Sequence, residues 1–447
     1  MKLFSKFGIF KKRIALIKDN KNYTYGDLIE YSIQFSKIIK KNSLVILIAK
    51  NDIESIAFYA SSIINGYFLI VLDENSNKDF FLKLIKNFKP NYIFYPKKYV
   101  DIKKKNLKVF FSNYCLEKID KKNKIINKKN SIILTTSGTT SNPKLVRLSN
   151  HNLLTNTKQI INYLKIKKKD VTITTLPMAY SYGLSILNTH LEVGGSVIIN
   201  KDPIFSKNFW KKTNDYKVCS FGTVPAVYQY LQKIDFEKFI GNSLKYLTVA
   251  GGKTDKSTLK YLYKICKKRG IKFFVMYGQT EASPRMSYFD LTKYPKKIES
   301  IGKPLINTKF KIYKNELIFM GDNVSLGYAK NLKDLKKGDE NKGRIKTGDL
   351  GFKDNENFYF LTGRKKRISK LFGLRINLDD IEKILKRSNL KVKAIINDNK
   401  IKIESSNLNE QDKIKSIIFH KFKINKNYIE IINTINLEKK LNFKNLI

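Results

Sequence analysis

Cysteine, histidine and acidic residues are all scarce in this chain. Three cysteines, Cys115, Cys219 and Cys266, stand far apart among 447 residues. Their spacing offers neither a disulfide framework nor a zinc pattern, and it fits a reducing compartment. His151, His190 and His420 show no metal-ligand spacing, so solvated or core roles are expected of them. No apolar run reaches the roughly 18 residues that a membrane-crossing helix needs. The first seven residues, Met1 to Phe7, are too broken by lysine for a signal peptide. A cytoplasmic protein without a transmembrane segment is expected. Against 87 Lys and Arg there are only 38 Asp and Glu, a formal net charge of +49. Such an excess is usual in proteins that bind nucleic acid or an anionic membrane surface. Here lysine is spread over nearly the whole length among Ile and Asn, which is also the mark of AT-rich codons. No basic tail or helix stands apart, so no specific nucleic-acid partner is expected, although a degenerate fold that binds nucleic acid through this surface stays open.

The chain does have enough apolar residues, 42%, for a globular protein, and its length exceeds that of one ordinary domain. Apolar runs at Leu44–Ala49, Phe68–Leu72 and Tyr92–Tyr95 read as strands. Between them Asp52–Asn65 and Lys78–Asn87 carry apolar residues at helical spacing. This is the rhythm of a layered α/β fold, and it recurs over Val171–Ile199 and Val218–Val275. After Ile301 short strands separated by turns predict an antiparallel β subdomain, and Leu378–Leu385 predicts a helix. Lys121–Asn130 reads as a solvated loop. A boundary at Arg364 divides the chain into a large N-terminal domain, 1–363, and a small α+β C-terminal domain, 364–447.

The strand-like run Ser131–Leu134 leads into Thr135-Thr136-Ser137-Gly138-Thr139-Thr140-Ser141-Asn142-Pro143-Lys144. Hydroxyls, a glycine and one lysine in so short a loop suit a polyanion such as a triphosphate. The loop is not the G-x-x-x-x-G-K-[ST] pattern, because one glycine alone precedes the lysine. It resembles the T-S-G-T-T-G-x-P-K loop of the acyl-adenylate-forming superfamily of acyl-CoA synthetases, luciferases and peptide-synthetase adenylation domains. Ser141 replaces the last glycine. Further segments follow in that family's order: Ala250-Gly251-Gly252, Tyr277-Gly278-Gln279-Thr280-Glu281, Ser300-Ile301-Gly302-Lys303-Pro304, Leu326-Gly327-Tyr328, Lys346-Thr347-Gly348-Asp349, and Arg364 with the segment Ile368–Glu382.

The resemblance implies a nucleotide site and two half-reactions. Thr136, Ser137, Gly138, Thr139, Thr140 and Lys144 would face the ATP phosphates. Gly251, Gly252, Tyr277 and Gly278 would lie along adenine and acyl group, with Thr280 at the α-phosphate. Glu281, with Thr136, would hold Mg²⁺, for which a carboxylate is a suitable hard ligand. Asp349 and Arg364 would meet the ribose. Lys440, in Lys440-Leu441-Asn442-Phe443-Lys444-Asn445-Leu446, stands where the family carries a catalytic lysine, with Lys439 in place of the usual glycine. Catalysis would fall to Lys440, Thr280 and Glu281. Acid specificity would come from Tyr180, Ser181 and Tyr182 in Leu176–Gly183, with Val224 and Pro225 as apolar wall. The absence of an aspartate there argues against a free α-amino acid. The expected activity is ATP-dependent conversion of a carboxylic acid to acyl-AMP, then transfer to a thiol after the C-terminal domain rotates. CoA is the first expectation for that thiol; an acyl or peptidyl carrier protein is the alternative.

Overall fold

A computed structural model describes residues 2–99, 107–111, 113–136, 143–371, 374–390, 392–397, 400–405, 408–422 and 424–433. The chain divides into two compact units. One comprises Met1–Phe310 and Phe319–Ile345; the other comprises Lys311–Ile318 and Lys346–Ile447. The break in chain contacts thus falls earlier than Arg364, and the strand Tyr359–Arg364 belongs to the smaller unit.

The larger unit is built on two sheets. In the first, Leu44–Ala49, Phe68–Asp73, Tyr92–Pro96 and Asn130–Thr135 run parallel. Antiparallel strands flank them: Leu145–Ser149 and Gly327–Ala329 on one side, Tyr114–Lys118 and Leu107–Phe111 on the other. Successive side chains of a strand point to opposite faces. Val45, Leu47 and Ala49 accordingly enter one core while Leu44, Ile46 and Ile48 enter another. Both faces are covered, which is why these strands read as continuous apolar runs. Helix Ile53–Asn65 packs into the first core; Asp52 caps its start by accepting from Ser55 N at 2.9 Å. Helix Lys78–Phe88 packs into the second.

The second sheet carries several of the candidate site segments. Within the larger unit its order is 300–304, 285–290, 272–278, 246–249, 220–223, 171–173, 196–198, 14–18 and 21–24. From Lys272–Gly278 through Ile14–Lys18 the pairing is parallel; the strands beyond either end are antiparallel. Parallel strands leave their loops on the side of their C-terminal ends, where such sheets bind ligands. The segments after Val249 and Gly278 lie there.

The smaller unit is α+β. Asp349 pairs with Arg364 across an antiparallel ladder, and Ile368–Leu371 pairs antiparallel with Leu374–Asn377. Val392–Asn397, Lys400–Ser405 and Ile429–Asn433 form a three-stranded sheet. Helices Leu378–Arg387 and Gln411–Phe422 pack on a core that includes Ile381, Leu385, Ile403, Ile414 and Ile418.

Candidate active site

The phosphate loop joins two antiparallel strands. Thr135 pairs with Leu145, and the neck is closed twice: Thr136 N donates to Lys144 O at 2.9 Å, and Lys144 N donates to Thr136 Oγ1 at 3.2 Å. Ser137, Gly138, Thr139 and Thr140 lie outside the described residues. The Lys144 ammonium sits over the Tyr328 ring, 4.7 Å from its centre. The Tyr328 hydroxyl donates to Glu281 Oε1 at 2.8 Å. Burial, followed by the Glu281 charge, raises the tyrosine pKa, so the phenol keeps its proton and remains the donor. Glu281 itself lies in the short turn Thr280–Ala282, and its carbonyl accepts from Ser325 N at 2.8 Å. Three segments far apart in sequence therefore meet through one tyrosine. In the sequence Tyr328 stands only as part of the Leu326-Gly327-Tyr328 segment of the resemblance.

Arg147, which the sequence did not single out, holds this arrangement. It lies on the strand after the loop and is 0% exposed. Its Nε donates to Tyr328 O at 3.1 Å, Nη1 to Lys337 O at 2.8 Å, and Nη2 to Leu326 O and Gly338 O at 3.0 and 3.2 Å. Nη2 also pairs with Glu340 Oε2 at 2.6 Å. The guanidinium fork thereby fastens residues 326–340, and Tyr328 with them, to the strand beneath Lys144.

Glu281 and Thr136 are hard oxygen donors. Among the described residues no group of three or more His, Cys, Asp or Glu could cage a metal alone. That donor set fits Mg²⁺, which is commonly held by one or two carboxylates and completed by phosphate oxygens and water.

The residues expected to meet the acid also converge. Ser181 Oγ lies 3.2 Å from Thr280 Oγ1, at the start of helix Ser181–Val193. Gly251 has φ +91°, and a Cβ there would lie 2.5 Å from the Tyr180 hydroxyl and 3.3 Å from Val224. Glycine is required both for the left-handed backbone and for the close approach. A Cβ on Gly252 would touch Pro225 at 3.6 Å. At Gly278 a Cβ would collide with the Pro284 carbonyl, which explains glycine after Tyr277. Tyr182 stands apart from this group. It is buried, and its hydroxyl contacts Thr248 O and Oγ1 at 3.0 and 2.7 Å, which ties helix Ser181–Val193 to the strand Tyr246–Val249.

In the smaller unit Asp349 is 2% exposed, and its Oδ1 accepts from Arg364 Nε at 3.0 Å. Its backbone N donates to Thr347 Oγ1 at 3.0 Å, which fixes the Thr-Gly-Asp turn. Lys440 lies outside the described residues.

Residues 8–328 match the family described as AMP-binding enzyme, and the chain belongs to that family. Among curated proteins it is 30% identical over 288 residues to a probable 4-coumarate–CoA ligase 1 of Dictyostelium discoideum, covering 61% of this chain and 51% of that protein. It is 28% identical over 267 residues to an oxalate–CoA ligase of Saccharomyces cerevisiae, covering 57% of this chain and 48% of that protein. The matched region thus spans about half the length of these relatives. Among solved structures, an O-succinylbenzoate coenzyme A synthetase from Bacillus subtilis in complex with AMP superposes with a TM-score of 0.76. That match covers 97% of this chain and 95% of the other at 18% identity, and it establishes the fold.

Proposed function

We propose that the protein is an acid–thiol ligase that activates a carboxylic acid with ATP and passes the acyl group to a thiol. The observation that carries this reading is the link from Lys144 through Tyr328 to Glu281, with Thr280 and Ser181 adjoining it. A cation and a carboxylate joined by a neutral phenol suit a leaving pyrophosphate and its metal. Lys144 neutralises the developing charge on the leaving group. Glu281 and Thr136 would hold Mg²⁺, which supplies charge neutralisation across the phosphates. The hydroxyls of Thr280 and Ser181 face the junction of acid and α-phosphate. Asp349 is a suitable acceptor for a ribose diol, with Arg364 its neighbour.

The substrate carboxylate attacks the α-phosphorus, pyrophosphate leaves, and acyl-AMP forms. A thiolate then attacks the acyl carbon and AMP departs. CoA is the proposed thiol, and a carrier protein's phosphopantetheine is the other. Both are anionic, which the +49 charge accommodates. Lys440 is the proposed lysine of the first half-reaction, and rotation of the domain that follows Arg364 separates the two steps. No helix among the described residues is long and apolar enough to cross a membrane; a cytoplasmic setting is part of the proposal.

Pyrophosphate release across a panel of carboxylic acids, with and without CoA, tests the reading. Acid-dependent release that continues as thioester formation with CoA is expected. No release with any acid, together with tight salt-sensitive binding of generic DNA, would sink it.

A further inference from the structure

Helix Ser181–Val193 begins beside Thr280 and carries a row of small hydroxyls. Ser181, Ser185 and Thr189 are spaced by four residues and therefore share a face, about 6 Å apart along the axis. At Ser185 the row meets Arg285, whose Nη2 lies 3.4 Å from Ser185 Oγ. Arg285 comes from the strand Arg285–Asp290, directly after the turn that carries Thr280 and Glu281. It is 3% exposed, and its guanidinium carbon lies 4.1 Å from the centre of the Tyr182 ring. Its Nε has no hydrogen-bond partner among the described residues.

The space beside Arg285 is a cavity with about 20 Å³ of room for a water-sized group. Ile160, Ser185, His190, Tyr246, Thr248 and Met276 help to line it, and none of its lining residues is acidic. The buried Asp170 is already paired with Lys245 at 2.5 Å. His190 Nδ1 lies 2.9 Å from Ile186 O, and its Nε2 has no partner among the described residues. Burial pushes the His190 pKa down to about 4, so the ring is neutral near pH 7. Arg285 is then the one charge on the cavity wall. A guanidinium removed from water without a counter-ion is destabilising, and an anion arriving beside it reverses that penalty.

We propose that Arg285 receives a second acidic group of the substrate: the cleft binds a short dicarboxylic acid, one carboxylate at Thr280 and the distal one at Arg285. This deepens the ligase reading and rests on its placement of the reacting acid at Ser181 and Thr280. Met276 on the wall is unbranched and adaptable, which allows the cavity to open for a carboxylate.

Glutarate and valerate share a five-carbon chain and differ in the distal carboxylate, so they isolate the role of Arg285. Calorimetry on the full chain, with a non-hydrolysable ATP analogue present, should show glutarate binding at least about a hundredfold more tightly than valerate. In Arg285→Met that ratio should fall to within about threefold, and Arg285→Lys should lie between. Equal binding of the two acids by the natural protein overturns the proposal without any variant. So does binding of neither, or a ratio that survives Arg285→Met. Pyrophosphate release separates this from the ligase reading. Release with monocarboxylates but no preference for glutarate leaves the ligase and removes the dicarboxylate. Glutarate binding without release from any acid does the reverse.

Discussion

Among the described residues two arginines, Arg147 and Arg285, are buried in the larger unit, and their surroundings are opposite. Arg147 has five acceptors, four of them backbone carbonyls and one the Glu340 carboxylate. Arg285 has the Ser185 hydroxyl at 3.4 Å, the Tyr163 hydroxyl, the Tyr182 face, and an Nε without a partner among the described residues. The first charge is consumed by the fold; the second is left for something the fold does not contain. A buried charge that is fully paired stiffens what it touches, whereas one held ready for a ligand lowers stability in its absence.

The largest expected effect breaks the first region. Arg147→Met takes a donor from the carbonyls of Leu326, Tyr328, Lys337 and Gly338 and leaves Glu340 with Lys337 at 3.4 Å as its cation. Loss of about 3–5 kcal/mol is expected, because several buried carbonyls lose a donor at about 1–3 kcal/mol each, read from the urea midpoint. Arg147→Lys should recover little, because an ammonium cannot replace a planar fork. A loss below about 1 kcal/mol would mean that these contacts do not fasten the segment.

Next comes the carboxylate that the fastened segment positions. Glu281→Gln keeps the shape and removes the charge. Pyrophosphate release should slow by about a hundredfold or more, with a raised Mg²⁺ requirement. An unchanged Mg²⁺ titration would place the metal elsewhere.

What could be seen in the sequence divides along similar lines. Leu44–Ala49 is a strand with the bounds read from the sequence, because a buried parallel strand is a continuous apolar run. The segments at Gly251 and Gly278 are legible through the resemblance, and the structure shows why glycine stands at both. Helix Asn150–Leu164 was not read. Its buried face is partly amide: Asn152 donates to Asp322 O and Val324 O, Asn156 to Arg285 O, and Gln159 to Ile306 O. Such a face carries no apolar period. Arg147 and Arg285 were invisible for a related reason. A lone arginine in a strand looks solvated, and the partners of Arg147 lie more than 170 residues away in sequence.

The pH dependence of stability sharpens the contrast, because His190 shares the Arg285 cavity. Its folded pKa is lowered to about 4 from 6.5. As pH falls from about 6.5 to about 4, the unfolded chain takes up a proton that the folded chain refuses. Stability is therefore lost over that window, by about 3 kcal/mol in full. Asp52 acts oppositely: burial raises it to about 6, so its contribution is lost as pH rises from 3.8 to 6. The difference between His190→Gln and the natural protein isolates the histidine. That difference should favour the variant progressively below pH 6.5, and a pH-independent difference would contradict it.

A smaller effect tests the link between Lys144 and Glu281. Tyr328→Phe keeps the ring beneath the ammonium and removes the 2.8 Å bond to Glu281. Pyrophosphate release should slow about tenfold, the scale of one charge-assisted hydrogen bond, with stability nearly unchanged. If Tyr328→Phe is as slow as Glu281→Gln, the hydroxyl does more than orient the carboxylate.

The smallest expected effect is the most discriminating. Arg285→Met removes a buried charge whose Nε has no partner among the described residues and leaves behind no carboxylate among those lining the cavity. Methionine is apolar and flexible enough to fill the space against Tyr182 and Met276. The ligand-free protein should therefore lose nothing and gain up to about 1 kcal/mol, since apolar replacement of poorly compensated buried charge is neutral to stabilising. Urea unfolding beside Arg147→Met, under the same conditions, makes the comparison direct. Added glutarate should then raise the midpoint of the natural protein and leave that of Arg285→Met in place, because a ligand stabilises only the state that binds it. A loss of 3 kcal/mol or more in Arg285→Met without ligand would show that its contacts with Ser185 and Tyr182 are structural. The two arginines would then be alike, and the cavity would need no anion to account for its charge.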